Sequence, residues 1–406
     1  MNIPRSAVEK SLKSQLLVPA LLLGMFLTFT FEVFLSNAMV NVASSLKVTV
    51  GTASQILTFS SFVGLIVGFV MGFLTVRFKH KSLFVLGVAL FGVGALGSFL
   101  APDFVSMLFF SLFLGIGAAM ISIVVLALIG DFLPLEKKGM AVGLVMGGVF
   151  VANLVMPQVT SLITNAAGWR AVLLWVILPI SIVSLLFGFF ALPSRPQQEQ
   201  VANKPRYLEA FKQILSKKSA LACQIGTAFA NFAFLAPVYA VSFYRLHFHE
   251  SLSTGAIFYS IASAMGIMGV IVAGRLINRI GRKPLTVMAS IISGVFAVLI
   301  AFMPTAWASA TMWMVSAGFA SMSIVGLNSL ALEQVPGFRG TMMSLNGSFR
   351  SIGVIVGLIL SGLLLNLYAN NFQILYAIFG VCGVASAAVL FFFAKDPCKN
   401  QLLPAA

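Results

Sequence analysis

The chain predicts an all-α membrane protein, with twelve transmembrane helices in two pseudo-symmetric six-helix bundles around a central cavity. Three observations predict it. Hydrophobic residues fill 60% of the 406 positions and charged residues only 9%, against about 25% charged in a soluble domain. Apolar stretches long enough to cross a hydrocarbon core of ~30 Å recur twelve times. Finally, Gly72-Phe-Leu-Thr-Val-Arg-Phe-Lys-His-Lys81 returns 202 positions later as Gly274-Arg-Leu-Ile-Asn-Arg-Ile-Gly-Arg-Lys283, an offset close to half the chain. Gly64 and Gly266 hold the same relative place upstream. Downstream, the stretch from Pro134 to Gly139 answers the one from Pro336 to Gly340.

The spans fall at roughly 16–45, 53–77, 82–101, 104–130, 139–164, 170–192, 219–244, 253–278, 283–303, 307–331, 340–366 and 372–394. Arg5, Lys10 and Lys13 precede the first of them in the manner of a signal peptide. The apolar run is too long for one, so it reads as an uncleaved span. Residues 1–192 form the first bundle and 219–406 the second. Between them, 193–218 is a linker rich in Pro, Gln and Lys. Within it Tyr207, Leu208, Phe211, Ile214 and Leu215 share one helical stripe, which predicts a short helix lying on the membrane face.

The net charge of +15 is a matter of topology. Of the 25 Lys and Arg, 21 fall on one side of the predicted membrane. Lys47, Arg170 and Arg245 fall on the other side, and Arg350 falls within a span. That bias places both termini in the cytoplasm of a plasma (inner) membrane and removes nucleic acid as a partner. The three Cys and three His form no metal-binding spacing, and no cofactor or nucleotide motif is present.

Over essentially the whole chain these motifs resemble the major facilitator superfamily, and within it the drug–proton antiporter branch. In that family the loop after span two reads Gly-x-Leu-x-Asp-Arg-x-Gly-Arg-Lys or Arg. The second copy here matches closely, with Asn278 for the Asp. The first keeps Gly72, Leu74, Arg77 and Lys81 but has Val76 for the Asp, Lys79 for the Gly and His80 for the next Arg. Gly168-Trp169-Arg170, and Asp131 with Pro134 and Gly139, also look like the family. The resemblance implies that these loops (Gly72, Arg77, Lys81, Gly274, Asn278, Arg279 and Arg282) latch the two access states. The missing acid at Val76 implies a shifted conformational bias. Drug–proton antiporters carry an Arg in span four where Ser111 stands here, ahead of Gly115 and Gly117. Of their Gly-Pro pair in span five only Pro157 remains, which is expected to bend that helix and free a carbonyl.

Two ionisable residues lie deep inside spans, Glu32 in the first and Arg350 in the eleventh. Each costs about 2.5–3.5 kcal/mol at a helix centre unless partnered or wetted. Glu32, beside Phe29, Phe31 and Phe34, reads as a proton-coupling carboxyl or as a structural acid bonded to Ser36 or Asn37. Arg350 needs Glu32, a substrate anion or free carbonyls. Asn41, Gln55, Asn153, Gln224, Asn231, Tyr239, Tyr259, Trp313 and Asn328 are polar or aromatic candidates for the cavity wall, and each reads equally as an interhelical contact.

The reading is a monomeric secondary transporter in the lipid bilayer, not an enzyme. It exports small amphipathic compounds in exchange for protons by alternating access. A second reading is proton-coupled transport of an organic anion or metabolite through Arg350. A third is a transporter-like sensor without flux.

Overall fold

A computed structural model describes residues 5–132, 135–192, 212–214, 216–335, 338–368 and 371–397. Among them twelve helices are long and apolar enough to cross a membrane, and no strand is present. In the first half these are α1 (Arg5–Ser45), α2 (Val50–Arg77), α3 (His80–Leu100), α4 (Phe104–Phe132), α5 (Leu135–Ala167) and α6 (Trp169–Phe190). In the second half the seventh span is split into α7 (Lys218–Ala233) and α8 (Ala236–His247). It is followed by α9 (Leu252–Ile280), α10 (Arg282–Ile300), α11 (Ala306–Leu332), α12 (Arg339–Leu367) and α13 (Phe372–Phe393). The spans expected from hydropathy agree to within a few residues at each end, because a hydrocarbon core fixes helix length more tightly than propensity does.

The chain divides into two compact units, Met1–Glu199 and Gln200–Ala406. Each has the same internal packing. In the first, α3 lies against α4 and α6, α4 against α2, and α1 against α5, α4 and α6. In the second, α10 lies against α11 and α13, α11 against α9, and α7 against α12, α11 and α13. Helix starts repeat at the same offset. Thr49 accepts from the Thr52 amide at 3.0 Å, and Ser251 accepts from the Thr254 amide at 3.0 Å. Asp103 Oδ1 accepts from the Ser106 amide at 2.8 Å to begin α4, and Thr305 accepts from the Ala308 amide at 3.3 Å to begin α11. The cap positions are duplicated even where the cap residue has changed, since any short side chain with an oxygen acceptor satisfies the same orphan N–H.

Three features interrupt helix regularity. The seventh span breaks at Phe234 and Leu235, and the next segment opens with Ala236 and Pro237, which has no amide hydrogen to continue the ladder. A π turn spans Leu173–Ile177 within α6. Pro157 lies inside α5, which runs as one helix from Leu135 to Ala167, and it has no amide hydrogen to give the carbonyl one turn earlier. The predicted surface helix over 207–215 lies outside the described residues except for 212–214. Those three are helical, and Ile214 is buried in the second unit's core.

Lipid gives helices no hydrophobic reason to associate, so close backbone approach must supply the attraction. In α2 against α4, a Cβ on Gly115 would lie 2.4 Å from the Ser60 carbonyl oxygen. In α9 against α11, a Cβ on Gly269 would lie 2.1 Å from that of Gly318. Gly269→Ala is therefore expected to cost about 1–3 kcal/mol by forcing the helices apart. Gly68→Ala, where nothing lies within 4 Å, is expected to leave the thermal midpoint in detergent unchanged. Equal midpoints for the two variants would refute backbone contact as the source of this packing.

Asp103 offers a separate check. The Ser106 amide and hydroxyl hold its carboxyl below the usual carboxylate range. Its folded-state pKa is thus depressed, so its contribution is complete above the ordinary carboxylate pKa and fades as pH falls through the folded value. The midpoint difference between wild type and Asp103→Ala is expected to be largest at neutral pH and to shrink on acidification below about pH 4.

Candidate functional site

The loops at the Lys- and Arg-rich end of each unit are built alike. Lys81 leaves the start of α3 and donates to the Phe189 carbonyl at the end of α6, at 2.6 Å. Lys283, at the start of α10, donates to the Phe391 carbonyl at 2.8 Å and to that of Ala394 at 2.7 Å, at the end of α13. Donor and first acceptor are both displaced by the repeat offset. A helix C-terminus carries about half a negative charge and unsatisfied carbonyls, which an ammonium satisfies on both counts. The basic signature thus ties the second loop of each unit to the last helix of the same unit.

The two loops differ where the sequences differ. Gly281 has φ of 90°, a left-handed backbone that favours glycine. At the equivalent place Lys79 has φ of −60°, an ordinary value for any residue. The Lys-for-Gly departure is absorbed by a change of loop backbone, with no strain. Next to it, His80 Nδ1 meets Asp131 Oδ2 at 2.5 Å, which joins the start of α3 to the end of α4. The matching positions in the second unit are Arg282 and Glu333. There Arg282 makes no ion pair among the described residues, and its Nε and Nη1 are buried without an acceptor. Arg77 and Arg279 close α2 and α9 as exposed cations in the last turn. Gly72, Gly274 and Asn278 lie on α2 and α9 just before them, and a Cβ on Gly274 would meet nothing within 4 Å, so tight packing is not what keeps that glycine.

Inside the spans, Glu32 is exposed midway along α1. Of its aromatic neighbours, Phe31 and Phe34 are turned into the bundle, where Phe34 stacks on Trp169 at 6.4 Å. Ser36 donates to the backbone carbonyl of Glu32, and Asn37 to that of Val33. Asn41 lies nine residues further on, about two and a half turns, and therefore on the opposite face of α1 from Glu32.

In the second unit a polar seam joins α7 to α12. Asn231 Nδ2 donates to the Thr227 carbonyl at 2.9 Å, and Asn346 Nδ2 donates to Thr227 Oγ1 at 2.7 Å. One turn beyond Asn346 stands Arg350, exposed and without a hydrogen bond or ion pair among the described residues. Gly353 follows on the same stripe, where a Cβ would lie 2.2 Å from the Ala228 carbonyl oxygen. Thr227 and Asn346, two residues that sequence reasoning missed, link α7 to α12 one turn before Arg350, while Asn231 bonds within α7. The signal available was Asn346 itself, a buried amide one turn before an intramembrane Arg.

Several other polar candidates bond or pack within their own unit. Gln224 is buried and donates towards Met342, while Trp313 is buried edge-on to Tyr259 at 5.8 Å. Asn153 and Gln55 each donate to a carbonyl of their own helix, at 2.9 and 3.5 Å. Asn328 is exposed. At the opposite end of the first unit Arg170 donates to Ser45 Oγ at 3.0 Å and to the Ala101 carbonyl at 2.8 Å. It also lies 4.4 Å from the Trp169 ring centroid, so this motif pins three helix ends.

Duplicated helical units with charged residues inside spans and capped basic loops describe a multi-pass membrane protein. The model of the Major Facilitator Superfamily matches residues 21–335 and 269–405, and the chain belongs to that superfamily. It is 25% identical over 194 residues to the MFS-type transporter YhcA of Bacillus subtilis, covering 48% of this chain and 36% of that protein. It is 25% identical over 267 residues to the aspyridones efflux protein apdF of Emericella nidulans, covering 64% and 52%. To the riboflavin transporter RibZ of Clostridioides difficile it is 21% identical over 178 residues, covering 44% and 39%. The matched part thus spans between a third and about half of these relatives. The fold is that of the D-xylose–proton symporter (TM-score 0.77, 16% identity, 94% of this chain and 98% of that one). It is also that of the nucleoside transporter NupG (TM-score 0.76, 16% identity, 92% and 99%).

The loop geometry gives a direct test. Gly281→Ala is expected to lower the thermal midpoint, because a side chain at that φ costs about 1–3 kcal/mol. Lys79→Ala, at an ordinary φ, is expected to be neutral. A neutral Gly281→Ala would show that the second loop does not need its left-handed residue.

Proposed function

We propose that this transporter exports small amphipathic compounds in exchange for protons, by alternating access, as a monomer in the cytoplasmic membrane with both termini inside. The observation that carries this reading is the exposed carboxyl of Glu32 midway along α1. A carboxyl held at that depth strongly favours its neutral form when dry and its charged form when wetted or paired with a cation. Alternate exposure to two aqueous phases of different proton activity then makes its protonation follow the access state. With no nucleotide-binding motif in the sequence, an ion gradient is the energy source this chemistry can use. The partial similarity to apdF, a protein named for efflux, supports the outward direction.

The loops supply the switch in this reading. Arg282 holds two buried N–H groups without acceptors, an arrangement that costs about 1–3 kcal/mol per group. A second access state that brings an acceptor to it would recover that cost, so Arg282 biases the equilibrium between states. In the first unit, the His80–Asp131 pair already satisfies the corresponding position.

One observation favours a second reading, transport of an organic anion. Arg350 is a permanent cation within α12 and lacks a protein acceptor among the described residues. The two readings separate by substrate charge. Cells lacking their main efflux pumps are loaded with a lipophilic cationic dye, and wild type is compared with Glu32→Gln and Arg350→Gln, with and without a protonophore. Export by wild type, lost in Glu32→Gln and on uncoupling but retained in Arg350→Gln, is the expected result. Dye accumulation equal to vector in all strains, with protein confirmed in the membrane, would reject cation export. Uptake or release of carboxylated compounds dependent on Arg350 would then carry the anion reading.

A further inference from the structure

At the basic end of the second unit a cavity of about 600 Å³ opens between the α9–α10 loop and the end of α13. That volume lies within the range of ~300–1,000 Å³ typical of small-molecule sites. Three cations line it, Arg279, Lys283 and Lys395, with Asp396 as the one acid. Two of the three are available. Arg279 and Lys395 are exposed, and neither side chain has a hydrogen bond or ion pair among the described residues. Lys283 spends two donors on the carbonyls of Phe391 and Ala394, which leaves it one N–H and its charge. The floor is apolar and contains Pro284, Val287, Met288 and Phe391. Met288 and Phe391 are 56% and 58% exposed.

We infer that this cavity binds an anionic phospholipid, with the phosphodiester among Arg279, Lys283 and Lys395 and the first acyl carbons on Met288 and Phe391. The chemistry selects both parts. Three cations against one acid leave an excess of two positive charges, which disfavours a zwitterionic headgroup. A free phosphate would satisfy the cations but leave the exposed apolar floor uncovered, and hydrocarbon covers it. The place is right for a lipid too, because the cavity lies where membrane-spanning helices end in basic residues. The first unit has no matching set, since Pro193 stands where the second has Lys395 and Lys79 where it has Gly281. A lipid here would rest on the same Lys283 that ties α10 to α13 and would steady that tie. The inference needs only a membrane-embedded protein and is independent of what the protein carries.

Native mass spectrometry of the full-length protein, released from detergent and titrated with phosphatidylglycerol or phosphatidylcholine, tests it. Wild type is compared with Arg279→Ala/Lys395→Ala, with Met288→Trp, and with Lys79→Ala/Lys212→Ala as a charge-matched control outside the cavity. All of these side chains are exposed, so the helix cores are untouched. The expected result is preferential retention of phosphatidylglycerol. At about one kcal/mol per surface cation, its affinity should fall about thirtyfold in the cavity double variant. It should weaken in Met288→Trp and hold within about twofold in the control. Equal affinity for both lipids, full retention by the double variant, or equal loss in the control would overturn the site. Inorganic phosphate is also added, against chloride of the same ionic strength. Displacement of the lipid by phosphate but not chloride would reassign the cavity to a phosphate anion and overturn the lipid.

Discussion

Hydrocarbon offers no hydrogen bonds, so every backbone donor and acceptor at membrane depth must be satisfied within the protein. The helices meet that demand along their lengths without help from side chains. It becomes difficult only at helix ends and breaks, and that is where this chain places its informative residues. Thr49, Asp103, Ser251 and Thr305 close helix starts, while Lys81 and Lys283 close helix ends in other parts of their own units. Arg170 does the same for the end of α3. These polar groups fold the protein by completing backbones and need little mutual attraction, which is consistent with a chain that carries so few charges.

The duplication shows which of these closures matter independently of side-chain identity. Lys81 with Phe189 and Lys283 with Phe391 survive in both copies, whereas the neighbouring position has diverged to His80 with Asp131 in one and an acceptor-poor Arg282 in the other. The second unit has also gained a clamp. Ser219 donates to Gln334 Oε1 at 2.7 Å, Gln334 Nε2 to the Lys395 carbonyl at 2.9 Å, and the Lys395 amide back to Ser219 Oγ at 2.8 Å. It joins the starts and ends of α7, α11 and α13, and its counterpart positions in the first unit include Leu17 and Phe132, which cannot form it.

The spans were legible because length and apolarity are local properties, and the repeat was legible because its offset is fixed. Caps were partly legible, since Thr49, Asp103, Ser251 and Thr305 belong to the residue types that cap. Pairings were not. Nothing in the sequence places His80 against Asp131 or Asn346 against Thr227, because helix rotation and tilt are set by packing against neighbours and leave no periodic signal in a helix that is apolar all round. For the same reason Glu32 and Asn41 read as one candidate set although half a turn separates their faces. The resemblance to a family identified the basic loops but not the backbone change at Lys79, which only coordinates reveal.

Glu32 and Arg350 differ from all these groups in one respect. Both are charged types held exposed within spans. A structural charge in a membrane helix lowers its cost by finding protein partners, as Arg170 does with Ser45, Ala101 and Trp169. Arg350 has none among the described residues, although Asn346, one turn away, shows that a partner across to α7 was geometrically available. A permanent cation that declines such a partner keeps its full charge for whatever wets or occupies its face.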